Sequence, residues 1–192
     1  MNVYKCLLIG SGWYVKDWWD SYNERFEFNY VFAMNNAFLV TKEKTTHWYI
    51  PNDFIYNKNY DLTSFKINNI GLNITSYFLE KPHWYWDPNG GTTVLNCLYD
   101  ILNRSILNDY KVDLYTIGCD LIYSNNVTHF YGNGTPDPLR LGEDILKKHL
   151  TELDILYKSY GCSIKNLSTY KTLLPFDKEN ISRVCKFYDK YE

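Results

Sequence analysis

Gly10-Ser11-Gly12, Asn35-Asn36, Pro51-Asn52, Gly90-Gly91-Thr92-Thr93 and Gly118-Cys119-Asp120 are the places in this chain of 192 residues where residue type and position suit chemistry. Each follows an apolar run or opens a helical one. Together they offer glycine backbones, side-chain amides, hydroxyls and a carboxylate. That set suits a polar, phosphate-bearing small molecule. A glycine turn lets the backbone come close, and a hydroxyl beside a glycine pair at a helix start makes an anion site. Asp120 can accept from a ribose or a base. Every member also has a plain structural use. The glycine turn can simply end a buried strand, and Asn35 and Asn36 can cap a turn through their own side chains. Thr92 can be an ordinary N-cap, and Asp120 can cap the segment after its strand. Convergence on one edge, rather than any single member, is what favours a site.

The elements that would position these residues alternate along the chain. The apolar run Cys6-Leu7-Leu8-Ile9 predicts a strand buried on both faces, followed by the glycine turn and a helix from Trp13 to Tyr22. Residues 26–38 predict a second strand ending at Asn35-Asn36, and residues 46–54 a third, ended by Pro51. A further strand is expected in "NITSYFL", before the aromatic loop "KPHWYWDPNGG". The strongest helical patterns run from about Thr92 to Ile106 and over residues 140–160, with Gly161 as the C′ residue of the second. "KVDLYTIG" predicts a buried strand and "CSIKNLS" the last parallel one, before a terminal helix capped by Asp177. Strands alternating with helices imply an α/β fold: a single domain over 1–192, Rossmann-like, with a mostly parallel sheet and helices on both faces. In such a sheet ligands lie beyond the carboxyl ends of the strands, which is where the residues above fall.

Composition narrows the partners. Twenty basic against 22 acidic residues leave no electrostatic footprint of nucleic-acid binding. Five cysteines, odd in number and without short metal-ligand spacing, argue against a disulfide framework or a zinc site, so a reducing, cytoplasmic setting is expected. No signal peptide and no apolar run near the length of a membrane span is visible. The 19 Tyr and 6 Trp suit either a stacking site or a core of large residues, and an AT-rich coding sequence would by itself enrich Asn, Lys, Tyr and Ile. An Asn after the second strand, where NAD enzymes keep an acid for the ribose, argues against NAD. Among the four histidines, His47 and His83 sit beside aromatics and are expected to pack, and His149 to be solvated. His129, in a loop beyond the Asp120 strand end, is the candidate general base.

Read in order, these motifs resemble the bacterial sialyltransferases that decorate lipooligosaccharide. Those enzymes use CMP-sialic acid, without a metal, on one Rossmann-like domain. Their G-N-G, C-N-Q, Y-T-P-N-F, T-S-G, G-I-D-F-Y and H-Y-x-G-H motifs find collinear counterparts here over roughly residues 5–170. The counterparts are Gly10-Ser11-Gly12, Met34-Asn35-Asn36, Tyr49-Ile50-Pro51-Asn52 leading to Phe54, and Gly91-Thr92-Thr93. They continue with Gly118-Cys119-Asp120 and Tyr123, then His129-Phe130-Tyr131-Gly132-Asn133. The resemblance implies that Gly10, Ser11, Gly12, Asn35, Asn36, Asn52, Gly91, Thr92, Gly118 and Asp120 line a nucleotide-sugar site, with Asn133 beside it. It implies that Tyr123 and Tyr131 assist the departing phosphate. It also implies a saccharide or other hydroxyl acceptor and no cofactor. The family's base, the second His of H-Y-x-G-H, falls on Asn133, whose amide cannot take a proton.

Two alternatives follow from that departure and from the short span between Tyr123 and His129, where the family carries a lid. One is a nucleotide-binding or sequestering module on the same fold without catalysis. The other is a related diphosphate-transfer enzyme, which would need Mg²⁺ and a pocket richer in carboxylates than Asp120 alone supplies. The aromatics of "HWYWDP" suit either a contact between copies in a homo-oligomer or an acceptor platform.

Overall fold

The computed structural model describes residues 2–41, 44–51, 75–79, 92–122, 129 and 142–184. Among the described residues seven strands form one sheet in the order β4-β3-β2-β1-β5-β6-β7. They are β1 (Val3–Ile9), β2 (Tyr30–Met34), β3 (His47–Pro51), β4 (Thr75–Leu79), β5 (Lys111–Ile117), β6 (Ser163–Asn166) and β7 (Asp177–Lys178). Every neighbouring pair is parallel. The helices are α1 (Val15–Tyr22), α2 (Phe38–Thr41), α3 (Thr93–Leu107), α4 (Glu143–Ser159) and α5 (Ile181–Val184). This is the α/β architecture that the alternation of elements predicts.

β1 lies centrally between β2 and β5, so both its faces must be apolar. Cys6 through Ile9 are accordingly at most 1% exposed. Cys6 and Leu8 join a cluster with Leu95, Leu98, Ile101 and Leu102 of α3 and Leu146, Leu150, Leu153 and Tyr157 of α4. Leu7 and Ile9 point the other way, into a cluster with Val15 and Trp19 of α1, Phe38 of α2 and Trp48 of β3. Each fully buried leucine contributes roughly 1.5–3 kcal/mol relative to exposure. The buried positions of α4 recur at helical spacing, and Tyr157 satisfies its hydroxyl on the Leu98 carbonyl at 2.6 Å. Gly161 closes α4 at φ +69°, with its N–H on the Lys158 carbonyl and that of Cys162 on Tyr157.

Four boundaries depart from expectation, the first being that α1 begins at Val15, with Trp13 and Tyr14 in the turn before it. The second strand is only Tyr30–Met34; Asn35–Ala37 form a 3₁₀ turn and Phe38 starts α2. The apolar run continues past the strand because Phe26, before it, and Phe38, after it, are both core residues outside the sheet. β6 is not the last strand, since Asp177 and Lys178 add β7 beside it. Asp177 therefore lies in a strand and not at the helix start: α5 begins behind Asn180, whose Oδ1 accepts from the Ser182 N–H at 2.9 Å. Among the described residues no helix is long and apolar enough to cross a membrane.

Candidate functional site

The strand order sets the geometry. After β1 the chain moves to β2 on one side, and after β5 to β6 on the other. The crossovers after β1 and β5 therefore leave toward opposite ends of the sheet, and the carboxyl edge at such a switch point is where open α/β folds bind ligands. Gly10-Ser11-Gly12 and Gly118-Cys119-Asp120 open those two crossovers.

The three glycines are explained by how closely the loops pack. A Cβ on Gly10 would stand 2.3 Å from the Gly118 carbonyl oxygen, and one on Gly12 2.9 Å from the Gly118 Cα. Gly118 itself sits at φ +69°, with Val15 Cγ2 2.2 Å from where its Cβ would be. The amides are engaged as well: the Gly10 N–H donates to Ile117 O at 2.8 Å and the Gly12 N–H to Gly118 O at 3.0 Å. A phosphate at this turn would meet other groups than those two amides. Half-buried Ser11 lies between them. Gly12 also forms an antiparallel bridge with His129, which brings the candidate base to the same edge from a point more than a hundred residues away in sequence. His129 is half-buried, and burial lowers its imidazole pKa, favouring the neutral form that can accept a proton.

Asp120 is 8% exposed and does not cap its own segment with its side chain. Its Oδ2 accepts a hydrogen bond from the Tyr14 hydroxyl. Tyr14 Oη in turn accepts from the Gly118 N–H at 3.1 Å and shares a hydrogen bond with Ser168 Oγ across 2.8 Å. Ser168 Oγ also accepts from the Tyr170 N–H at 3.2 Å. Burial raises the Asp120 carboxyl pKa, and the hydroxyls of Tyr14, Ser168 and Thr172 and the Lys178 charge pull it part of the way back. Burial, reinforced by the Asp120 charge, pushes the Tyr14 phenol up as well.

Across β1, Asn35 is held at φ +49° with its carbonyl accepting from the Trp48 indole N–H at 2.7 Å. Asn36 beside it is buried. Thr92 is an N-cap: its Oγ1 accepts from the Leu95 N–H at 3.3 Å, and the residue is 4% exposed. His47 packs on Phe32 at 4.6 Å between ring centroids, as its aromatic neighbours suggest, and burial takes its pKa down to about 4. His149, expected in solvent, lies partly covered on α4 with Nδ1 3.6 Å from Glu152 Oε2. Asn52, Gly91, Tyr123, Tyr131 and Asn133, together with His83 and the "HWYWDP" aromatics, lie outside the described residues.

Four buried side-chain polar atoms among the described residues have no hydrogen-bond partner, and three of them are at this edge. They are Asn35 Oδ1 after β2, Asp120 Oδ1 after β5 and Asn166 Nδ2 at the end of β6. The fourth, Asp154 Oδ1, belongs to α4, where the other oxygen of the carboxylate pairs with Lys158 at 2.6 Å. Buried polar groups in folded proteins are nearly always paired, so orphans gathered at one edge mark where a ligand or water completes them.

Sequence reasoning passed over Tyr14, Ser168, Trp13 and Tyr170. Ser168 and Tyr170 follow a strand in the same manner as the chosen residues, so the rule that selected Asp120 would have found them. Nothing in the sequence announces the Tyr14 contact, which joins positions 106 residues apart. A separate cleft of about 490 Å³ lies toward the amino ends of β1 and β2, lined by Lys5, Glu27, Phe28, Asn29 and Val184. Its lysine is engaged, with Nζ donating to Val184 O at 2.8 Å and lying over the Phe28 ring. It is remote from the glycine loops. Among the described residues no three His, Cys, Asp or Glu side chains gather closely enough to hold a metal ion. No family model, no curated protein and no solved structure matches the chain.

Proposed function

We propose that this protein binds a nucleotide or nucleotide sugar at the carboxyl edge of its sheet and transfers the glycosyl group to the hydroxyl of a saccharide or other acceptor. The observation that carries the reading is the pair of orphaned acceptors after β2 and β5, on either side of β1, Asn35 Oδ1 and Asp120 Oδ1. Two buried oxygens without donors suit a ligand rich in them, such as a ribose diol or an exocyclic amine. The collinear resemblance to the lipooligosaccharide sialyltransferases makes a CMP-sialic acid-like donor the first to try. In the transfer, the acceptor oxygen attacks the anomeric carbon and the bond from that carbon to the phosphate oxygen breaks. The departing phosphate takes the electron pair, and the acceptor proton passes to His129, with Tyr123 and Tyr131 beside the phosphate. The buried free thiols of Cys6, Cys97, Cys119 and Cys162 support a reducing compartment, the cytoplasm.

A thermal-shift series with CMP, UMP, GMP, AMP and their sugar conjugates, with and without Mg²⁺, tests the reading. A ligand at about a hundred times its Kd stabilises by roughly 2.7 kcal/mol. Stabilisation by CMP or CMP-sialic acid without metal is the expected result. Stabilisation by none of them would overturn it. Asn133 at the family's base position favours one second reading, a binding module without catalysis. That module would show the same shifts and no turnover.

A further inference from the structure

Trp13 and Tyr170 present two large exposed rings at the same edge, 44% and 43% accessible. They come from different loops, after β1 and after β6, yet their ring centroids are 4.9 Å apart with planes at 60°. Tyr14 contacts both, at 4.4 Å from Tyr170 and 5.6 Å from Trp13. The corner is anchored through this third ring, because the Tyr14 hydroxyl is tied to Gly118, Asp120 and Ser168. The Tyr170 backbone is tied to the same Ser168 hydroxyl. Two exposed aromatic faces in mutual contact, held by a buried polar network, form a preorganised apolar surface rather than rings exposed singly.

The shape chooses the ligand class. Trp13 and Tyr170 touch one another, so no slot remains between them in which a planar base could be sandwiched. Two faces meeting at an angle suit a puckered ring. A pyranose offers C–H groups to an aromatic face and hydroxyl donors around its rim. An orphaned acceptor, Asp120 Oδ1, belongs to the carboxylate that Tyr14 holds by the other oxygen. We propose that the Trp13–Tyr170 corner, backed by Tyr14, is a saccharide subsite that takes the apolar face of a pyranose, with its rim hydroxyls toward Asp120. Binding follows from this geometry. Only the identification of that sugar as the acceptor rests on the transferase reading above.

Saturation-transfer NMR on the full chain tests this with methyl pyranosides of gluco, galacto and N-acetylglucosamine configuration as probes. Wild type is compared with Trp13→Ala, Trp13→Leu, Tyr170→Ala and, as a control, Leu107→Ala on a 74% exposed residue of α3. The expected result is transfer to the C–H protons of one ring face, weakened about tenfold or more in the Trp13 and Tyr170 variants and unchanged in Leu107→Ala. Trp13→Leu keeps apolar bulk without an aromatic face and should lose binding as Trp13→Ala does. Transfer to none of the probes, or transfer indifferent to Trp13 and Tyr170, would overturn the subsite. So would equal loss in Leu107→Ala. CMP thermal shifts on the same proteins separate the two ideas. Pyranoside binding that depends on Trp13, without any CMP shift, supports the subsite and defeats the nucleotide reading. A CMP shift with pyranosides indifferent to Trp13 does the reverse.

Discussion

Tyr14→Phe removes one oxygen and leaves the ring contacts with Trp13 and Tyr170 in place. Three partners lose it at once: Asp120 Oδ2, the Gly118 N–H at 3.1 Å and Ser168 Oγ at 2.8 Å. A hydrogen bond to a charged group is worth about 1.5–3 kcal/mol net, and a stranded buried donor costs about 1–3 kcal/mol. Partial relaxation of the loops keeps the total near 2–5 kcal/mol, a large share of the roughly 5–15 kcal/mol that holds a domain folded. The loss should also depend on pH. Burial already raises the Asp120 carboxyl in the folded state, so folding favours the protonated form. For a carboxyl raised in this way, stability falls as pH climbs from the unfolded value through the folded one. Removing Tyr14 Oη takes away a group that lowers this pKa, so the variant's carboxyl rises further. The difference between variant and wild type is therefore greatest near neutrality and shrinks on acidification. Urea denaturation at pH 7 and pH 5, with Asp120→Asn and the double variant completing a cycle, measures it. In the Asp120→Asn background the Tyr14→Phe loss should be smaller and independent of pH. A loss under about 0.5 kcal/mol, within the range of an ordinary surface substitution, would refute the reasoning. So would a loss unchanged between the two pH values.

Gly118→Ala must place a Cβ at φ +69° and 2.2 Å from Val15 Cγ2, whereas Gly142→Ala at φ +72° meets no atom within 4 Å. Backbone strain costs roughly 1–3 kcal/mol at each, Gly142 lying at ψ 159° in a region that glycine alone favours, and overpacking adds about 1–3 kcal/mol at Gly118 alone, so chemical denaturation should find Gly118→Ala the more destabilising. Under the proposed transfer reaction, His129→Ala should leave the fold intact and cut turnover by about 10²–10⁴-fold; unchanged turnover would remove it from the mechanism. Because burial lowers its pKa, wild-type kcat/KM should stay flat down through the ordinary histidine value and fall only below it. His47, with a folded pKa of about 4, keeps its full contribution to stability above the unfolded value of 6.5 and loses it as pH falls from 6.5 toward 4. NMR titration of the ring should show that midpoint, and His47→Gln should flatten acid-side stability in that window.

Several elements were legible because a local pattern was enough. Cys6–Ile9 reads as a strand buried on both sides, and the apolar stripe of α3 and the Gly161 closure of α4 can be read from residue types alone. The rule that ligands lie beyond strand ends selected Asn35 and Asp120 before any contact was known, and both carry orphaned oxygens. The second strand was read too long because Phe26 and Phe38 are apolar for reasons of the core and not of the sheet. The two-residue β7 carries no periodicity to read, since both of its residues are exposed.

What the sequence determined by itself is the alternation of strand and helix, the apolar faces that close the two sides of the sheet, and the glycines at the turns. These depend on residue type and on spacings of a few positions, which is where hydrophobic period and backbone freedom act. Only the tertiary structure decided why those glycines are needed, since Gly10 and Gly12 meet Gly118 across more than a hundred residues. It alone sent the Gly10 amide to Ile117 at the end of β5 and the Gly12 amide to Gly118, joined Tyr14, Asp120 and Ser168 into one hydrogen-bonded group, and set Trp13 against Tyr170. Strand order creates those meetings: β1 lies beside β5, and β5 beside β6, so three loops that chain distance separates share one edge. A hydrogen bond between distant loops leaves no periodic trace in the chain, because its partners are chosen by where the strands end and not by their neighbours in sequence.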